Sequence, residues 1–483
     1  MLLGIDQGTS GTACLVVGPG GETVARSHRP LESYAPRPGW VEQDPEALLG
    51  TVVEAVAEVL ERVGGPSQVQ AAGLANQGES VVAWDAASAE PLTPVLVWSD
   101  GRAQGEVDAL AASRQGDLVA RESGLRLSTY FSAPKLGWLL VHDRAVQAAA
   151  RAGTLRLGTL DAWLGVRLGA ASLTDPSTAS RTQLYGLAAG GWSPLLLEQF
   201  GVDPAWLPQV RPGAAYRGTL SHPAWGGALP WHAGLVDQVA ALVGCGCLDP
   251  GEVKVTYGTG AFVLAHVGDA PRQVPGLLCS VGLSGGGGRS FVLDGGVFTA
   301  GTAIRWLERL GLIADPAQAS RMAAEAQGTV RFLPAFGGLG APWWQPGARG
   351  VFSGLTESTT PGDLVRAVLD GVAFGVADVL DAVRTVLPDL RRIRADGGLS
   401  KSDYLLQRQA DLTGLTVERA RSSEATALGA ALLAGVAAGV LTWAEVRARL
   451  RPQERFAARW GSSQRAEARA SWDVWRKRAA TLP

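Results

Sequence analysis

One pattern occurs twice in the sequence and constrains the fold more than any other feature. At the start, the apolar run Leu2 to Ile5 is followed by the turn-rich "DQGTSGT" and a second apolar run, Ala13 to Val17. Near the middle, "GEVKVTYGTGAFVLAHV" (251–267) again reads strand, Gly-Thr-Gly turn, strand. Short apolar runs joined by glycine-rich turns signal β-hairpins. A hairpin opening each half of the chain predicts two domains of related design.

The segments after each hairpin support this. Asp44 suits a helix cap, Pro45 the first helical position and Gly64 the C-terminal stop. Between them Leu48, Leu49, Val52, Val56, Val59, Leu60 and Val63 recur at helical spacing. "VQAAGLAN" then reads as a buried strand ending at "NQGES" (76–80). Strands alternating with helices predict an α/β architecture. The boundary is placed near Gly244, giving an N-terminal domain at 1–243 and a C-terminal domain at 244–483. The second half adds the striped helix "DLVRAVLDGVAFGVADVLDAVRTVL" and the strand-turn-helix "IRADGGLSKSDYLLQRQADLTG". It ends in the alanine-rich "ATALGAALLAGVAAGVL", small-sided enough for close packing.

Composition narrows the partners. With 483 residues, 46% hydrophobic and 18% charged, the chain is globular and has ample core. A formal net charge of -2 gives no polyanion-binding surface, so nucleic acid is not expected as a partner. No run of about 18 apolar residues, the length of a membrane span, is found, and the N-terminus lacks the features of a signal peptide. A cytoplasmic location is therefore expected. Cys14, Cys245, Cys247 and Cys279 lack metal-ligand spacing and read as buried reduced thiols.

Several segments carry chemistry. Successive N–H groups in a glycine-rich turn point into one concavity and suit phosphate oxygens. Asp6, beside the first turn, suits Mg²⁺, which takes one or two carboxylates plus phosphate oxygens. "DGGLSKSD" (396–403) is a strand-Gly-Gly-helix junction, either an ordinary turn or a place for a nucleotide. Asp237 precedes an apolar helix, either as its cap or as a base accepting a hydroxyl proton in phosphoryl transfer. "GLSGGGGRS" (282–290) misses the spacing and the lysine of a P-loop and reads as a flexible hairpin loop. Among 16 tryptophans and the other aromatics, Trp98, Tyr130 and Phe262 lie near polar turns, where flat rings suit the C–H faces of a polyol.

From Gly4 to about Leu441 these segments resemble, in order, the FGGY carbohydrate kinases, and most of all the glycerol kinases among them. "GIDQGTSGT", "PGWVEQDP", "GTLDAWLGVRL", "TDPSTASRTQLYGL", "YGTGAF", "FGGLGAPWWQPGARG" and "GLTESTTPGDLVRAVLDGVAF" carry the resemblance. It implies two duplicated ribonuclease-H-like (actin-like, hexokinase-like) ATPase domains, with ATP and Mg²⁺ in the cleft between them. It implies that Asp6 holds the metal together with Asp237, and that Asp237 is the general base. Gly8, Thr9 and Ser10 would face the phosphates from one side, and Thr259 and Gly260 from the other. Gly301 and Arg305 would lie near the nucleotide, and Gly398, Leu399 and Ser402 near the adenine. The polyol would meet Gly78, Glu79, Trp98, Tyr130, Asp237, Gln238 and Phe262.

Departures from the family bear on the substrate. Gly78 stands where glycerol kinases carry Arg, Ala13 where they carry Arg or Lys, and Gln345 where they read Asp. Arg305 replaces a usual Gln, and Ser402 a common Asn. Losing the arginine costs about 1.5–3 kcal/mol of glycerol binding if nothing replaces it, and it is expected to empty a volume the size of its side chain. On this reading the acceptor is a small polyol, with glycerol first and a pentulose, tetritol or pentitol as alternatives. A catalytically silent sugar- or nucleotide-binding sensor is the alternative of another class, supported only by Ala13. The loop "SHPAWGGALPW" lacks the Gly-Gly-Lys run of a known regulatory sugar-phosphate site, so no such regulation is expected. A homodimer is left open as the assembly.

Overall fold

The computed structural model describes residues 1–113, 115–422 and 424–482. Two mixed sheets share one plan. In the first, Leu2–Gly8, Gly11–Val17 and Thr23–Pro30 run antiparallel as consecutive hairpins. On its other side Leu2–Gly8 lies parallel to Ala71–Asn76, which lies parallel to Gly227–Val236. In the second, Glu252–Tyr257 pairs antiparallel with Ala261–Gly268, and that strand with Gly288–Val297. Parallel to Glu252–Tyr257 lies Arg392–Asp396, followed by Thr416–Arg419. The same order of three antiparallel and two parallel strands in both sheets is the expected duplication. Each leading hairpin turns at one end, closed by Gly8 against Gly11 and by Tyr257 against Ala261.

The helix Pro45–Val63 forms as its caps require. The Asp44 carboxylate accepts the N–H groups of Glu46 and Ala47, and Gly64 closes the helix in the left-handed region at φ 87°. Its apolar stripe is buried against the first sheet. Fully burying one such side chain contributes about 1.5–3 kcal/mol.

Two small-sided helices, Asp237–Gly244 and Ala425–Ala437, cross at the junction of the halves. A Cβ on Gly429 would stand 1.8 Å from the Ala240 carbonyl oxygen, and one on Gly244 would stand 1.9 Å from that of Ala425. The second helix also lies on the first sheet, where a Cβ on Gly4 would be 1.8 Å from the Ala427 oxygen. The expected close packing is therefore present, backbone against backbone. One apolar cluster joins Leu2, Leu15, Ala75 and Leu235 of the first half to Ala430 and Leu433 of the second. The boundary near Gly244 divides the sheets but not this core. All four cysteines are free and buried, and residues 278–297 form a hairpin closed by Gly285 and Gly288.

Candidate active site

"NQGES" ends the strand Ala71–Asn76, and the chain returns as Val81–Asp85. The turn places its strain on Glu79, not on the glycine: Glu79 has φ 60°, while Gly78 stays outside the left-handed region. Gly78 is small for another reason. A Cβ there would stand 2.8 Å from Cγ2 of Val236, the residue before Asp237. Any side chain at 78 would therefore press on Val236, which stands where its first carbon would lie.

Glu79 is buried, and its Oε1 accepts a hydrogen bond from Arg181 Nε at 2.6 Å. Burial pushes its carboxyl up to about 7, with Arg181 opposing and Asp237 and Asp294 adding to the rise. Trp98 packs edge-on to Tyr130 at 5.5 Å between ring centroids. The Phe262 ring fits over Gly296, where a Cβ would be 3.0 Å from the ring.

Asp237 opens the helix Asp237–Gly244 as its first residue, with Val236 at the cap position. Its Oδ1 accepts the Gln238 N–H at 2.6 Å. Burial raises the Asp237 carboxyl, opposed by that hydrogen bond and by Lys254 and Arg181 nearby. Lys254, fully buried, donates to Gln238 Oε1 at 2.7 Å and so ties the second sheet to this helix. Asp6, two strands away on Leu2–Gly8, is raised well above the carboxylate range by burial, then by Asp237 and Glu424. Two enclosed carboxylates in mutual range are the donor set that Mg²⁺ takes when phosphate oxygens complete its sphere. No group of three or more His, Cys, Asp and Glu gathers to hold a metal alone among the described residues.

The two leading hairpins are differently committed. The Thr9 hydroxyl donates to Gln77 Oε1 at 3.1 Å and accepts the Trp98 indole N–H at 2.9 Å. Its carbonyl accepts from Gln43 Nε2 at 2.7 Å. Thr9 therefore joins the first hairpin tip to the Trp98 ring, while Gly8 is partly exposed and Ser10 exposed. In the second hairpin Thr259 is exposed and Gly260 buried, and the Gly301 N–H bonds to the Gly258 carbonyl. Arg305 is exposed on the helix that Gly301 begins. Gly398 is open to solvent and Leu399 buried, whereas the Ser402 hydroxyl caps the helix Asp403–Thr413 by accepting the Leu405 N–H.

Four charged residues at this centre were missed by the sequence reading: Arg181, Lys254, Asp294 and Lys135. Lys135 is fully buried and donates to the carbonyls of Thr129, Tyr130 and Phe131, fixing the loop that carries Tyr130. The signal for Lys254 was present, since a lysine interrupts the apolar run of "EVKVTY". Arg181 stood inside a quoted segment without a partner to mark it.

Comparison with known proteins fits this geometry. Glycerol kinases of Thermus brockianus and Citrifermentans bemidjiense are 39% and 38% identical to the chain, each covering 98% of it and 97% of the relative. A Plasmodium falciparum glycerol kinase structure with ADP superposes at TM-score 0.94 and 27% identity, over 100% of this chain and 98% of that one. A gluconate kinase from Lactobacillus acidophilus shares the fold at TM-score 0.89 and 21% identity, over 99% of this chain and 98% of that one. The N-terminal domain of the FGGY family of carbohydrate kinases matches residues 1–244 and its C-terminal domain residues 253–438. The chain belongs to the FGGY family of carbohydrate kinases.

Proposed function

We propose that the chain transfers the γ-phosphate of ATP to a hydroxyl of glycerol. The observation that carries this reading is the wall beside Asp237. Val236 stands against Gly78, and on this reading it takes up space that a five-carbon acceptor would need beside Glu79, Trp98 and Tyr130. The likeness to glycerol kinases over nearly the whole chain supports the same substrate. Residues 1–243 carry the acceptor pocket and the first phosphate hairpin, and residues 244–483 carry the nucleotide.

In this reading Asp237 accepts the proton of the attacking hydroxyl. A carboxyl raised by burial is a stronger base than one in water, which suits it to accept the proton. Glu79 accepts a hydrogen bond from another acceptor hydroxyl, and Trp98, Tyr130 and Phe262 pack on its carbons. Asp6 and Asp237 would hold Mg²⁺, which would supply charge neutralisation at the transferring phosphoryl group. A silent sensor has no use for this carboxylate pair, and the chain belongs to a kinase family. No described helix is long and apolar enough to cross a membrane, and the buried free thiols support work in the reducing cytoplasm.

The test is a purified-protein panel with ATP and Mg²⁺ against glycerol, erythritol, xylitol and xylulose. Glycerol should show the highest kcat/KM. A pentulose or pentitol turned over more efficiently than glycerol would overturn the assignment.

A further inference from the structure

Arg181 lies where the two halves meet, just after the short helix Pro176–Ala179. That turn is anchored from several sides. Asp175 caps it, and the Ser177 hydroxyl accepts the Val236 N–H at 3.0 Å. Thr178 donates to Asn76 Oδ1 at 3.3 Å. From the second half, the Val281 N–H donates to the Ser180 hydroxyl at 3.0 Å. The guanidinium is thus carried on a backbone that cannot swing by itself.

Arg181 Nε meets Glu79 Oε1 at 2.6 Å, and Nη1 meets Asp294 Oδ2 at 3.0 Å. The side chains of Arg181 and Glu79 are 8% and 7% exposed, so solvent screens the pair little. Asp294 belongs to the other half, on the strand Gly288–Val297. Along that strand Asp294 and Gly296 point to one side, and Gly296 is the residue over which Phe262 packs. Glu79, by contrast, sits on a strained turn, and Arg181 is the only side chain among the described residues that hydrogen-bonds its carboxylate.

We propose that Arg181 and Asp294 are positioning residues for phosphoryl transfer. Asp294, reaching across from the C-terminal half, orients the guanidinium that aims Glu79 at the acceptor, so the acceptor pocket is complete only when the halves are closed together. This rests on the reading of Glu79 as an acceptor contact. It makes acceptor affinity, and not nucleotide affinity, the quantity that depends on Asp294.

The experiment measures KM for glycerol and for ATP separately, with melting curves, for Asp294→Ala, Asp294→Glu, Asp294→Asn and the reference Glu79→Gln. Asp294→Ala should raise the glycerol KM about tenfold, on the order of one partly buried ion pair, with the ATP KM within about twofold of wild type. Asp294→Glu should recover most of the loss. Asp294→Asn, which keeps the shape, serves if the alanine variant does not fold, and should move the glycerol KM in the same direction. An unchanged glycerol KM in Asp294→Ala and Asp294→Asn, beside a raised one in Glu79→Gln, overturns this inference and leaves the acceptor reading standing. Equal rises in both KM values, with a lowered melting temperature, also overturn it by assigning Asp294 a structural role. If Glu79→Gln leaves the glycerol KM unchanged, the acceptor reading and this inference fall together.

Discussion

The fit of Gly78 against Val236 can be tested as an energetic coupling between two residues far apart in sequence. A Cβ at 78 would lie 2.8 Å from Val236 Cγ2, well inside the roughly 3.5–4.0 Å of comfortable carbon contact. Gly78→Ala should therefore destabilise by about 1–3 kcal/mol, the cost of overpacking a tight site. Val236→Ala removes the offending methyl and one more, costing about 1.6 kcal/mol at about 0.8 kcal/mol each. In the double variant the new methyl at 78 enters the space left by Val236, so the single costs should not add. Chemical denaturation of the four proteins should give a coupling of about 1–2 kcal/mol in favour of the pair. The glycerol KM should follow the same pattern, worst in Gly78→Ala and partly restored in the double variant. Additivity within about 0.5 kcal/mol would refute the claim that Val236 is the reason for the glycine.

Other perturbations bear on the chemistry and the fold. Asp237→Asn should fold and bind glycerol while lowering kcat by about 10²–10⁴, the range of a lost general base, checked by calorimetric binding beside steady-state rates. Because burial holds Glu79 up to about 7, kcat/KM should rise with pH through about 7 as its carboxylate forms, not near the ordinary carboxylate value. The sign is opposite for stability: a folded-state value above the ordinary one means that Glu79's contribution is present at low pH and lost as pH rises through about 7. Lys135→Met should cost about 3 kcal/mol by stranding three loop carbonyls, and should raise the acceptor KM through Tyr130. Gly429→Ala should cost more than about 3 kcal/mol because its Cβ meets a carbonyl at 1.8 Å, read as a lowered melting temperature. Gly50→Ala, inside the helix Pro45–Val63 with nothing within 4 Å, should instead stabilise by about 0.5–1 kcal/mol.

The sequence disclosed what is written locally. Apolar runs flanking glycine turns identified both hairpins, and Asp44, Pro45 and Gly64 marked one helix from cap to stop. The small residues of Ala425–Ala437 announced a close crossing without naming its partner. What stayed hidden depends on residues distant in the chain. Gly78 looked like a turn glycine or an emptied arginine site, and only the fold brings Val236 against it. Arg181, Lys254 and Asp294 are charges whose partners come from distant parts of the chain, so nothing local separates them from surface residues. The family resemblance implies that Thr9 faces the phosphates, and its hydroxyl also bonds Gln77 and Trp98, contacts that no spacing rule supplies.

The helix Ala425–Ala437 has a further consequence, for the order in which the protein folds. It covers the strands Leu2–Gly8 and Ala71–Asn76, so the first sheet owes part of its apolar cover to a segment made near the end of synthesis. Until residue 437 has left the ribosome, Leu2, Leu15 and Ala75 have no complete apolar surroundings. The N-terminal half should therefore wait as a loosely closed intermediate, exposed to chaperones and proteases, and become protected only with the whole chain. A fragment ending near Gly244 should aggregate or bind a hydrophobic dye, and adding the missing helix as a separate peptide should relieve this.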